Sequence, residues 1–124
     1  MRPIGRRPPI DVLQEILNDQ ELFQFQFPHW NESIPEVDRL EYSATQLMVE
    51  AAEIIQALPW KKHKKNYHTS LSVEQREKAI EEIVDSFIFV INCFLIMGYK
   101  KSEDILDAFK RKYTVINKRV EEGY

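Results

Sequence analysis

Four acidic residues stand out by their spacing: Glu50 and Glu53, then Glu82 and Asp85. Within each pair the residues are three apart, so a helix carries both carboxylates on one face. Each pair is set among apolar residues: Leu47, Ala51, Ile54, Ile55 and Leu58 around the first, Ile83, Val84, Phe87 and Ile88 around the second. Four carboxylates gathered at the edge of a core repel one another and lose hydration, so a cation must offset them. A cluster of carboxylate oxygens, without Cys or His, suits a hard ion such as Mg²⁺, with Mn²⁺ as a substitute, held together with substrate phosphates. The pattern predicts a helical, magnesium-dependent site for nucleotide hydrolysis.

The chain that must position these groups has 124 residues, enough for one domain with a real core but not for two. Only three glycines occur and period-two alternation is scarce, which points to an all-α fold. A net charge of −3 gives no basis for a nucleic-acid partner. The longest apolar run, from Phe87 to Met97, is broken by Asn92 and is too short to span a bilayer. The lone Cys93 has no partner for an intrachain disulfide, so it reads as an inert core thiol in a reducing, cytoplasmic setting. Residues 1–9 are rich in proline and arginine (Arg2, Arg6 and Arg7) and lack an apolar signal core. They read as a flexible arm, and residues 10–124 as the single domain.

Helical periodicity divides that domain. A first helix runs from Ile10 to about Phe23 on a stripe of Leu13, Ile16, Leu17 and Phe23. Gln14 and Asn18 share another face, either as a solvated polar surface or as an amide pair for a base edge. The loop from Phe25 to Pro35 is dense in aromatics, including Phe27 and Trp30, which suits cover for a core or a subunit interface. A second helix spans about Glu36 to Ala57 and stops before Pro59. Trp60 then leads the run Lys61, Lys62, His63, Lys64 and Lys65, either a solvated loop or a flap that brings positive charge to a polyphosphate. His63 and His68 read as loop residues rather than ligands.

The third helix, from Val73 to Met97 with Ser72 as its N-cap, should be the central and most buried one. Asp85 inside its apolar half needs a partner or a metal. Asn92 reads either as a satisfied core amide or as a ligand contact. Gly98 is a helix stop, and Ser102 is expected to cap a fourth helix to about Val120. Ile105, Leu106, Phe109, Tyr113 and Ile116 form its apolar side. Lys112 and Arg119, seven apart, align as a solvated stripe or a phosphate clamp.

The combination Glu50-x-x-Glu53 and Glu82-x-x-Asp85 resembles the signature of the all-α nucleotide pyrophosphohydrolases, the superfamily of the MazG proteins and the dimeric dUTPases. Leu13-Gln14-x-x-Leu17-Asn18-Asp19 is similar to the N-terminal helix of the dimeric dUTPases, and Met48 to Ile55 followed by Trp60-Lys61-x-x-Lys64 to their metal helix and Trp-Lys stretch. Ile83-Val84-Asp85-Ser86-Phe87-x-Phe89 and the final Lys112, Arg119, Gly123 and Tyr124 resemble their last two helices, including those of phage dCTPase-dUTPases.

The resemblance implies a four-to-five-helix bundle assembling as a homodimer or homotetramer. It implies that Glu50, Glu53, Glu82 and Asp85 hold Mg²⁺, and that Gln14, Asn18 and Trp60 approach the base. By the same carry-over Asn92 contacts the sugar or base, and Lys61, Lys64, Lys112 and Arg119 contact phosphates. The expected reaction converts a dNTP, dUTP foremost, to dNMP and pyrophosphate. Two departures bear on the base: Ile88 stands where the family usually has His, and Ile116 where it has Asn, with Asn117 one place later. The same chemistry on dCTP, a modified pyrimidine or a purine nucleotide such as (d)GTP is therefore the alternative. A non-catalytic helical nucleotide-binding protein is a third reading.

Overall fold

The computed structural model describes residues 11–65 and 67–123. The arm expected at residues 1–9 and the expected start of the first helix at Ile10 lie outside the described residues. Four helices form: α1 (Val12–Gln24), α2 (Glu36–Gln56), α3 (Val73–Ile96) and α4 (Ser102–Glu121), with a short 3₁₀ turn at Pro28–Trp30 between α1 and α2. The architecture is all-α, and no strand occurs among the described residues.

Several helix ends have a local cause. Asp11 caps α1 by accepting from the Gln14 amide at 3.0 Å. At the start of α3 the Ser72 hydroxyl accepts from the Gln75 backbone N–H at 3.1 Å, and the Gln75 side-chain oxygen accepts from the Ser72 N–H at 3.0 Å. This reciprocal pair satisfies two backbone donors that the helix cannot. At the other end Gly98 takes φ +83°, the left-handed conformation that ends a helix. There the Tyr99 N–H reaches the Phe94 carbonyl at 2.9 Å and the Gly98 N–H the Leu95 carbonyl at 3.0 Å. Ser102 is not the cap expected of it: Lys101 holds that position, and the Ser102 hydroxyl donates across to Asp11 of α1.

The principal packing is α2 against α3. The two run antiparallel: Leu47 borders Val90 and Cys93, Glu53 borders Glu82, and Gln56 borders Gln75. The core sits at the far end of α3 from those acids. There Leu17, Trp30, Ile91, Leu95 and Ile96 cluster, and Leu13, Ile16, Leu40 and Ile105 pack against them. Trp30 is thus the loop aromatic that enters the core. Phe23 and Phe25 stay exposed, while Phe27, His29 and Tyr42 continue a chain of ring contacts from Phe23.

As expected, α3 is the most buried of the four helices, but its N-terminal half keeps one apolar face exposed. Ile80, Ile83, Val84 and Phe87 are each at least 41% exposed, and their i, i+3, i+4, i+7 spacing places them on one face. On α4 every residue from Phe109 onward is exposed.

Candidate metal centre

Antiparallel packing places a carboxylate pair of α2 opposite the middle of α3. Oxygens of Glu50, Glu53 and Glu82 all lie within 4.8 Å of one another. Asp85 is half-buried one turn further along α3 and lies outside this cluster. The four-carboxylate set expected from the sequence is thus a three-carboxylate cluster. Glu50 and Glu53 are also one turn apart yet share the cluster, so it is the height of α2 against α3, not helix rise alone, that leaves Asp85 out.

Glu82 is the most enclosed of the three, 5% exposed. Its Oε1 is paired with Lys78 Nζ at 2.8 Å, one helical turn back. Its Oε2 is buried and, while Glu53 is ionised, accepts no hydrogen bond from any described residue. A buried carboxylate oxygen with no donor is costly unless a cation meets it. The Ser86 hydroxyl, also buried, donates to the Glu82 backbone carbonyl at 3.1 Å, so it does not serve the carboxylate.

The electrostatics follow from this crowding. Lys78 holds the Glu82 carboxyl below the ordinary glutamate range. The neighbouring Glu82 and then Glu50 push the Glu53 carboxyl up, so Glu53 retains a proton more readily than a solvated glutamate. Glu82 in turn raises the Lys78 ammonium. The orphaned oxygen, the all-oxygen donors and the surplus negative charge fit a hard divalent ion.

Two adjoining hollows extend the site. A groove of about 360 Å³ is lined by Glu53, Gln56, Ala57, Lys78 and Glu82. It shares Gln56 and Ala57 with a hollow of about 490 Å³, whose walls include Trp60, Lys61, Lys64, Tyr67, His68 and Gln75. Three residues marked by the sequence, Trp60, Lys61 and Lys64, therefore stand beside the acids. The Lys61 ammonium lies 5.3 Å from the centre of the Trp60 ring.

Other marked residues are elsewhere. Gln14 donates to Asn18 Oδ1 at 2.9 Å and to the Lys100 carbonyl at 2.9 Å, while its own oxygen accepts from the Ser102 N–H at 2.8 Å. Its amide is occupied in joining α1 to the α3–α4 connection. Glu82 and the end of α3 at Ile96 are about 21 Å apart along the helix, at 1.5 Å per residue. Asn92 is 1% exposed, and its oxygen accepts from Gln20 at 3.0 Å. Of its two readings this matches the satisfied core amide. Lys112 and Arg119 lie on the fully exposed part of α4.

Lys78 is the site residue that sequence reasoning passed over. Its signal was present: a lysine four residues before Glu82 faces it on any helix. Cys93 is half-buried, and burial pushes its thiol up, which suits an inert role. Among the described residues no helix is long and apolar enough to cross a membrane. No protein-family model, no curated protein and no solved structure matches the chain.

Proposed function

We propose that the chain is a magnesium-dependent nucleoside triphosphate pyrophosphohydrolase of the all-α kind its sequence resembles, converting a dNTP to dNMP and pyrophosphate. The observation that carries this reading is the buried, unpartnered Oε2 of Glu82 inside a cluster with Glu50 and Glu53. A divalent ion held by those three residues would polarise the phosphates and neutralise the charge that develops on them. Glu50 takes the proton of the attacking water. Trp60 offers its ring to the base, and Lys61 and Lys64, lining the same hollow, meet the phosphates.

A second reading concerns the base. The amide of Gln14 is occupied within the fold, so of the expected pair it is not free to meet a base. This favours a nucleotide other than dUTP, such as dCTP, a modified pyrimidine or a purine nucleotide.

The working unit on this reading is a homodimer. The chain exposes 10071 Å², against about 7,000 Å² for a folded monomer of this mass. Subtracting the most surface that the twelve residues outside the described set could contribute removes about 2,000 Å² of that excess. More than about 1,000 Å² remains, above the roughly 800 Å² that each partner buries in a standard interface. The occupant is a second copy because the two bare faces complement each other in charge. From Lys110 to Arg119, α4 carries five cationic residues and no acid, whereas Glu74 to Asp85 of α3 carries five acids against Arg76 and Lys78. Pairing α4 of one copy with α3 of the other covers both stripes and brings Lys112 and Arg119 toward the partner's carboxylates.

The test is phosphate release, with added inorganic pyrophosphatase, across a panel of dNTPs and NTPs with Mg²⁺. Turnover of at least one nucleotide is expected, with loss of at least about a hundredfold in Glu53→Gln at unchanged helical circular dichroism. No turnover of any nucleotide by the native chain would leave only the binding-protein reading.

A further inference from the structure

Three carboxylates of charge −1 meet at the cluster, and among the described residues one cation, Lys78, stands on one oxygen of Glu82. The balance without any ion is −2, which one divalent ion neutralises through the oxygen of Glu82 that Lys78 leaves bare. A nucleotide then arrives with several further negative charges and enters the groove that Glu53, Gln56, Ala57, Lys78 and Glu82 line. Lys78 is a cation already lining that groove.

Lys78 is built to move. Its side chain is 60% exposed, so little packing holds it, and its four-carbon stem is flexible. Its second acidic neighbour, Glu81, is at 4.0 Å and largely solvated. Only the lysine end of this pair is solvated; Glu82 is buried, so Lys78 can leave it for a phosphate once a divalent ion takes over the compensation of that carboxylate. Resting on the metal-site reading above, we propose that Lys78 is the resident counter-ion of the cluster and transfers its ammonium from Glu82 to the phosphates of the bound nucleotide. It limits the substrate-free site to one divalent ion, and it couples release of Glu82 to capture of a polyphosphate.

This role gives two effects of opposite sign, which a merely structural lysine does not. In Lys78→Met the site without substrate is more negative, so calorimetry with Mn²⁺ alone should give binding about three- to fivefold tighter than native. Binding of inorganic tripolyphosphate in the presence of Mn²⁺ should weaken at least about tenfold. Lys78→Gln should behave as Lys78→Met, and Lys78→Arg should restore polyphosphate binding to within about threefold of native. Weaker Mn²⁺ binding in Lys78→Met, or unchanged binding of both probes, overturns the assignment. So does a native protein that binds Mn²⁺ but no tripolyphosphate. A native protein that binds no Mn²⁺ overturns the metal site itself, which separates the two failures.

Discussion

Glu53 and Glu82 face each other yet are displaced in opposite directions: Lys78 lowers Glu82, and the hydrogen bond between the two carboxyls raises Glu53 while lowering Glu82 further. The raised carboxyl of Glu53 keeps its proton above the ordinary glutamate range. The stability this proton confers is complete below that range and is lost as pH rises through the raised value. Glu82 works the other way: its contribution is present above the ordinary range and is lost only as pH falls through its lowered value. At neutral pH an ion should therefore replace the missing proton of Glu53. The gain in melting temperature on adding Mg²⁺ should be larger near pH 7.5 than near pH 5, measured by differential scanning fluorimetry; an equal gain would remove Glu53 from the site. A second residue-scale expectation concerns Asp85, which the sequence pattern included and the geometry leaves outside the cluster. Glu82→Gln should lower Mn²⁺ affinity at least about tenfold more than Asp85→Asn does. Equal losses would return Asp85 to the ligand set.

Between elements, the junction of α1 with the α3–α4 connection is held by polar contacts more than by packing. Gln14 bridges to the Lys100 carbonyl and the Ser102 N–H, and Asp11 receives the Ser102 hydroxyl while capping its own helix. Nearby the Glu21 carboxylate meets Lys100 Nζ at 2.8 Å. These contacts set the direction in which α4 leaves the core. Gln14→Ala should cost about 1–3 kcal/mol of stability in urea unfolding, since it removes several partly shielded hydrogen bonds. If Gln14 instead reads a base, the variant would keep its stability and lose nucleotide affinity. Ser72 and Gln75 do the corresponding work at the start of α3, where the loop bearing Trp60 ends.

For the whole molecule the deciding quantity is apolar surface left in water. Leu106, Phe109, Tyr113, Ile116 and Val120 alternate by three and four along α4, the seam that packs helix against helix, and all are exposed. The native protein should sediment as a dimer, and its melting temperature should rise with protein concentration. Phe109→Asp combined with Ile116→Asp should yield a monomer that keeps its helical circular dichroism, because neither residue is buried within the chain. A native monomer at micromolar concentration would contradict the pairing of α4 with α3.

Much was determined by sequence alone. Helical periodicity placed α2 and α3 to within a residue, because a core-facing stripe must recur with the helix period whatever it packs against. Ser72, Gln75 and Gly98 announced the ends of α3 through local chemistry that needs no distant partner. The residues gathered at the acids were legible for the same reason, since i, i+3 spacing fixes a shared face. Relative height between two helices was not, because the phase of α2 against α3 depends on how their side chains interlock. That phase alone joined Glu50 and Glu53 to Glu82 and left Asp85 a turn away. Tertiary structure likewise decided that Gln14 and Asn92 spend their amides inside the fold, and that half of α3 and most of α4 stay bare. Hydrogen-bond partners far apart along the chain, and the limited surface one chain can cover, are properties of the assembled fold rather than of any segment.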